Sequence, residues 1–172
     1  MKITAQEEYG VRCLLRLART GPGESLTIPE IAEAESLSPA YAAKLLRVLR
    51  QAGLIESARG RTGGYHLSRP AAEVHLGDVL LALGEPLYDD PGYCERHKGT
   101  VANGICVHHG ACTLRGLWHT LEQWMRQALD RLTLADLLHN EGRITDLLRE
   151  RLADAVLQPA SSLIQLSVMG KE

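Results

Sequence analysis

Three of the four cysteines in this 172-residue chain gather in one stretch: Cys94-Glu95-Arg96-His97, followed by Cys106-Val107-His108-His109-Gly110-Ala111-Cys112. The intervals between successive thiols are eleven and five residues. A thiolate is a soft ligand, and three of them close in sequence, in a reducing compartment, suit a soft metal ion or an iron–sulfur cluster. Zinc suits the same donors, because the three cysteines plus His97, His108 or His109 complete a tetrahedral set. The spacing by itself slightly favours zinc, and three unliganded thiols are the plainest alternative. Cys13 is a separate case. Beside the apolar stripe of the first expected helix, it reads as a small buried hydrophobe.

A second chemistry lies upstream. Between Ser36 and Pro70, six cations (Lys44, Arg47, Arg50, Arg59, Arg61 and Arg69) face one carboxylate, Glu56, within a chain whose net charge is −2. A basic block inside an acidic molecule is either a local phosphate footprint or a solvated face. Position favours the footprint. Ser38 caps a helix with Pro39 at its first position, and Ala42, Leu45, Leu46 and Leu49 form its inward stripe. Ala40, Lys44, Arg47 and Gln51 then face outward. A helix with so small and polar an N-terminal face fits the major groove. Arg59-Gly60-Arg61-Thr62-Gly63-Gly64 is a glycine-rich turn whose arginines can reach a minor groove or phosphates. The candidate contacts to double-stranded DNA are therefore Ser38, Ala40, Tyr41, Lys44, Arg47, Arg59 and Arg61. Use of the same surface for protein contacts is the alternative.

These groups need elements to hold them. Thr4-Ala5-Gln6-Glu7 and Thr27-Ile28-Pro29-Glu30 are capping boxes that open two helices ahead of the one at Ser38. Val11, Leu14, Leu15 and Ala18 give the first helix its stripe, and Gly21-Pro22-Gly23 ends it. Short strands are expected over Leu54–Ala58 and Tyr65–Ser68, joined by the arginine turn, with a further helix over Leu76–Leu83. Three small helices and a hairpin make a winged helix-turn-helix, so the fold is mainly α with a small β-hairpin wing. The expected domains are a DNA-binding domain over 1–84 and a cysteine-bearing loop over 85–112. A dimerisation helix with a short helix after it follows over 113–138, and then a tail over 139–172, helical from Arg143 to Val156, without an assigned role. Leu114, Leu117, Trp118, Leu121, Trp124, Met125, Ala128, Leu129 and Leu132 recur three and four apart, a stripe too apolar for a lone surface helix. Leu114, Trp118, Leu121, Trp124 and Met125 are the candidate homodimer contacts. No apolar run approaches the ~18 residues of a membrane span. The first residues turn acidic at once and lack a secretory apolar stretch, so a cytoplasmic location is expected.

Several of these pieces carry a resemblance. Met1-Lys2-Ile3-Thr4, Tyr9, Leu37-Ser38-Pro39-Ala40-Tyr41, Arg59-Gly60-Arg61-Thr62-Gly63-Gly64-Tyr65-His66-Leu67, the ordered cysteine trio and Thr133-Leu134-Ala135-Asp136-Leu137-Leu138 resemble the IscR/NsrR family of winged-helix iron–sulfur transcriptional regulators. The likeness runs from Met1 to about Leu138. It implies a homodimer on a palindromic operator, a repressor rather than an enzyme, and an iron–sulfur cluster on three cysteines and one other ligand. The resemblance, not the spacing, is what favours a cluster over zinc, with [2Fe-2S] ahead of [4Fe-4S]. The first interval is longer than in the best-known members, and Arg115 stands where the cluster-assembly type places a ligand histidine. The nitric-oxide- and redox-sensing types take a carboxylate from the start of the first helix, and Glu8 stands at that place. The implied ligand set is Cys94, Cys106, Cys112 and Glu8. A zinc-stabilised regulator is the near alternative. An electron-transfer or thiol-redox protein is the distant one, and it lacks a CxxC pair and leaves the arginine turn unexplained.

Overall fold

The structure, a computed structural model, describes residues 3–21, 23–58, 63–86, 88, 92–97, 106, 108, 112–139 and 141–157, with 141 and 151–157 as helical backbone only. Residues 1–138 and 139–172 form two units.

Three helices build the centre of the first unit. In α1 (Ala5–Ala18) the Thr4 hydroxyl accepts from the Glu7 N–H at 3.2 Å and the Glu7 carboxylate accepts from the Thr4 N–H at 2.7 Å, so the capping box is closed from both sides. The same pair of bonds links Thr27 and Glu30 at the head of α2 (Ile28–Ala34). Ser38 caps α3 (Pro39–Gln51) by accepting from the Tyr41 N–H at 3.2 Å. Gly53, at φ +70°, ends α3, with Gly53 N–H donating to Arg50 and Leu54 N–H to Leu49, each at 3.0 Å. Only a residue at ease in the left-handed region closes a helix this way. Ser36, in the α2–α3 turn, holds φ +55° without being glycine.

Leu14, Ile31, Leu45, Leu46 and Leu49 from these helices are fully buried together. Each such side chain contributes about 1.5–3 kcal/mol by leaving water. The helices α1 and α4 (Leu76–Leu83) approach so closely at Gly10 that a Cβ there would overlap the Leu83 side chain.

The wing hairpin pairs β1 (Ile55–Ser57) with β2 (Tyr65–Leu67) antiparallel, Glu56 opposite His66. Both strands are shorter than the spans 54–58 and 65–68 expected from sequence. Even so, Ala58 N–H donates to Gly64 at 2.8 Å and Ser68 N–H to Leu54 at 3.1 Å, one step beyond each end of the ladder. Leu26 supplies a third, single-residue strand, exchanging two backbone hydrogen bonds with Tyr65 at 2.7 and 3.0 Å. Gly64 lies against it, where a Cβ would sit 2.6 Å from the Leu26 carbonyl oxygen.

The stretch 85–112, read from sequence as a loop, contains a helix, α5 (Gly92–His97). Six residues offer too few positions for apolar periodicity to register. Next, α6 (Thr113–Leu129) runs into a segment that returns to the winged domain. There Leu76 N–H donates to Leu132 at 2.9 Å, Leu134 N–H to Val74 at 2.8 Å and Ala135 N–H to Ala71 at 3.1 Å. Leu134 is completely buried, and Asp136 caps the turn by accepting from Thr133 N–H at 2.8 Å. The second unit holds α7 (Glu141–Leu157), which spans the helix expected over Arg143–Val156 and has an ion pair between Arg149 and Asp146 at 3.5 Å.

Candidate functional site

Along α3, Ser38, Ala40, Lys44 and Arg47 are exposed, while Ala42, Leu45, Leu46 and Leu49 are buried on the other side. The helix therefore presents two cations and a small N-terminal face to solvent. Tyr41 is half-buried and meets Tyr9 of α1 edge-on, with ring centroids 6.1 Å apart and planes at 83°. The Arg12 guanidinium lies 5.2 Å from the Tyr9 ring centroid, within cation–π range.

The same arginine reaches the turn before α3. Arg12 Nε donates to one Glu35 carboxylate oxygen at 2.9 Å, and Arg16 Nε donates to the other at 3.3 Å. Their Nη2 groups extend to the carbonyls of Glu35 and Ala34 at 3.5 and 3.4 Å. Glu35 is only 8% exposed, so its charge is tolerable there because two cations from one face of α1 meet it. The carboxylate in turn holds the Arg12 guanidinium above its ordinary, already high pKa. Sequence reading passed over Glu35, which looks like one more solvated acid in Ala32-Glu33-Ala34-Glu35. The available signal was Arg12 and Arg16, four apart on α1.

Arg59 and Arg61, the expected wing contacts, lie outside the described residues. The base that carries them is described: the β1–β2 ladder, the Leu26 bridge, and a cross-strand approach of His66 Nε2 to Glu56 at 3.9 Å, an ion pair when the imidazole is protonated.

The three clustered thiols are free. Cys94 is exposed on α5, and Cys106 is half-buried. Cys112 occupies the N-cap of α6, where its sulfur accepts from the Arg115 N–H at 3.4 Å. Arg115 thus contributes its backbone to the sulfur. Glu8 is exposed in the first turn of α1, its N–H donating to Thr4 at 3.0 Å. Among the described residues no three His, Cys, Asp or Glu side chains converge to hold a metal ion, so the structure does not bring Cys94, Cys106, Cys112 and Glu8 together. In kind, three reduced thiols and a free carboxylate suit a soft metal or an iron–sulfur cluster. Of the rival imidazoles, His97 donates Nδ1–H to the Tyr93 carbonyl at 2.8 Å, His108 is exposed, and His109 lies outside the described residues. Cys13 is fully buried, and that burial pushes its thiol up to about 11, which leaves it a core residue.

Leu114, Leu117 and Trp124 of α6 are 56%, 48% and 57% exposed, with Trp118, Leu121 and Met125 half-buried. The expected homodimer contacts thus lie on a partly exposed apolar stripe.

A family model described as Rrf2, iron-dependent transcriptional regulator, matches residues 3–140. Protein rrf2 of Nitratidesulfovibrio vulgaris is 36% identical over 140 residues, which are 81% of this chain and 89% of that protein. Among solved structures, T. potens IscR matches with a TM-score of 0.60 and 29% identity over 80% of this chain and 86% of that one. CymR, the global cysteine regulator of B. subtilis, matches with a TM-score of 0.61 and 27% identity, covering 80% and 96% of the two chains. With its winged helix, its outward-facing basic helix and a family match over four-fifths of its length, the chain belongs to the Rrf2 family of transcriptional regulators.

Proposed function

We propose that this protein is a homodimeric repressor that binds a palindromic operator through α3 and the wing. Its operator affinity would be set by an iron–sulfur cluster held by Cys94, Cys106, Cys112 and Glu8. The observation that carries the DNA-binding part is the uncovered face of α3, where Ser38, Ala40, Lys44 and Arg47 stand exposed over a helix whose other side is locked in the core. The cluster part is supported by three free thiols, by the family, and by the likeness to IscR. When bound, the group supplies a redox- and nitric-oxide-sensitive centre.

The chain's own residues supply the coupling. Glu8 immediately precedes Tyr9, which packs against Tyr41 of α3, and Arg12, one turn on, fastens the α2–α3 turn through Glu35. A ligand drawn from the first turn of α1 therefore acts on the reading helix through two contacts. An allosteric mechanism requires these contacts to differ between the cluster-bound and cluster-free states.

Anaerobic purification, an absorption spectrum and operator titration with and without the chromophore test this reading. A brown protein whose operator affinity changes on chromophore loss supports it. A colourless zinc protein, or a metal-free one with full operator binding, defeats the cluster assignment while leaving the DNA-binding assignment to the titration.

A further inference from the structure

Next to the cysteines, four rings make a continuous line between two helices. On α5, Tyr93 stacks on His97 with centroids 4.5 Å apart and planes at 30°. Tyr93 also meets Tyr88 at 5.2 Å, and Tyr88 meets His119 of α6 edge-on at 5.3 Å. Tyr88 is only 5% exposed. The far end is steadied by the Gln123 side-chain amide, 3.2 Å from His119 Nε2. A helix of six residues does not hold itself together in water, because its nucleation cost is spread over too few hydrogen bonds. Its order has to come from packing, and the rings supply that packing. Tyr93 is followed directly by Cys94. His119 lies seven residues after Cys112, about two turns along α6 on the same face.

We propose that Tyr88, with Tyr93, His97 and His119, is a positioning cluster that seats the Cys94-bearing helix on α6, the helix that Cys112 heads. Tyr88 is its keystone, since it bridges the rings of α5 and α6. None of the four is a ligand in this scheme. They fix where one thiol stands relative to another, and to that extent the inference rests on the ligand role proposed for Cys94.

The test compares Tyr88→Ala and Tyr88→Phe with the parent chain on two readouts. The first is tryptic cleavage after Arg96, within α5, measured on the apoprotein by mass spectrometry; cleavage there requires local opening of the helix. The second is the lifetime of the visible chromophore in air. Tyr88→Ala should speed cleavage after Arg96 severalfold and shorten the chromophore lifetime severalfold. Tyr88→Phe, which keeps the ring, should stay closer to the parent than Tyr88→Ala on both. An unchanged cleavage rate in Tyr88→Ala overturns the anchoring role. Faster cleavage with an unchanged chromophore lifetime overturns the positioning of Cys94 for the cluster. A colourless parent protein defeats the ligand reading itself, and the apoprotein cleavage then decides the ring anchor alone.

Discussion

Two neighbouring carboxylates at the start of α1 have different work. Glu7 closes the capping box with Thr4 and its side chain lies against Gly84, where an added Cβ would overlap it. Glu8 is exposed, and its side chain takes no part in that cap. Glu8→Ala is therefore expected to leave the winged domain folded and, if Glu8 is the fourth ligand, to make the chromophore labile and shift its spectrum. Cys94→Ala, Cys106→Ala and Cys112→Ala should each prevent its assembly. Absorption spectra of the anaerobically purified variants check this. A Glu8→Ala protein with a normal, stable chromophore, alongside loss in His108→Ala or His109→Ala, would place the ligand in the cysteine stretch.

At the scale of elements, the turn between α2 and α3 stores a backbone cost. A non-glycine residue in the left-handed region gives up about 1–2 kcal/mol, and Ser36 sits there at φ +55°. Ser36→Gly should leave stability equal or raise it by up to ~1 kcal/mol, offset by glycine's greater freedom when unfolded. Ser36→Val should lower it by about 1–2 kcal/mol, since branching at Cβ worsens the crowding. Denaturant unfolding would measure both, and a Ser36→Val protein as stable as the parent would contradict the strain. The wing makes a separate prediction. Arg59→Ala should weaken operator binding by about 1–3 kcal/mol if the guanidinium reads a base edge, and should weaken all sequences alike if it meets only phosphate. Titration of operator and random DNA at physiological salt distinguishes them; unchanged affinity for both removes the wing from recognition.

The elements divide by how locally they are encoded. The two capping boxes, the Ser38-Pro39 start of α3, its buried stripe and the span of α4 were all legible, because caps and 3.6-residue periodicity are written within a dozen residues. What escaped depends on partners distant in the chain. Glu35 is buried by arginines about twenty residues upstream, and α5 is seated by rings that lead to His119. Leu26 pairs with Tyr65 as a single residue, too short to leave a pattern. The candidate thiols were legible by type and order, but among the described residues they do not converge with Glu8 on one metal site.

For the whole molecule, the proposed homodimer would seat its two-fold contact on the partly exposed stripe of α6, since symmetric dimers read palindromic half-sites. Leu121→Glu places a charge in the middle of that stripe. Light scattering should then report a monomer, and operator affinity should fall with it. A variant that still runs as a dimer puts the interface elsewhere.

The way α6 is fastened has a mechanical consequence. Its C-terminal end is bonded to the winged domain through Leu132, Leu134 and Ala135, while its opposite end begins at Cys112 and carries the exposed Leu114 and Leu117. The helix is a cantilever with its root in the DNA-binding domain. At 1.5 Å per residue its seventeen residues reach about 25 Å. A tilt of ~5° at the root thus moves the tip by about 2 Å. Read in reverse, under the proposed coupling a tug at the tip would arrive at the root as torque on the winged domain.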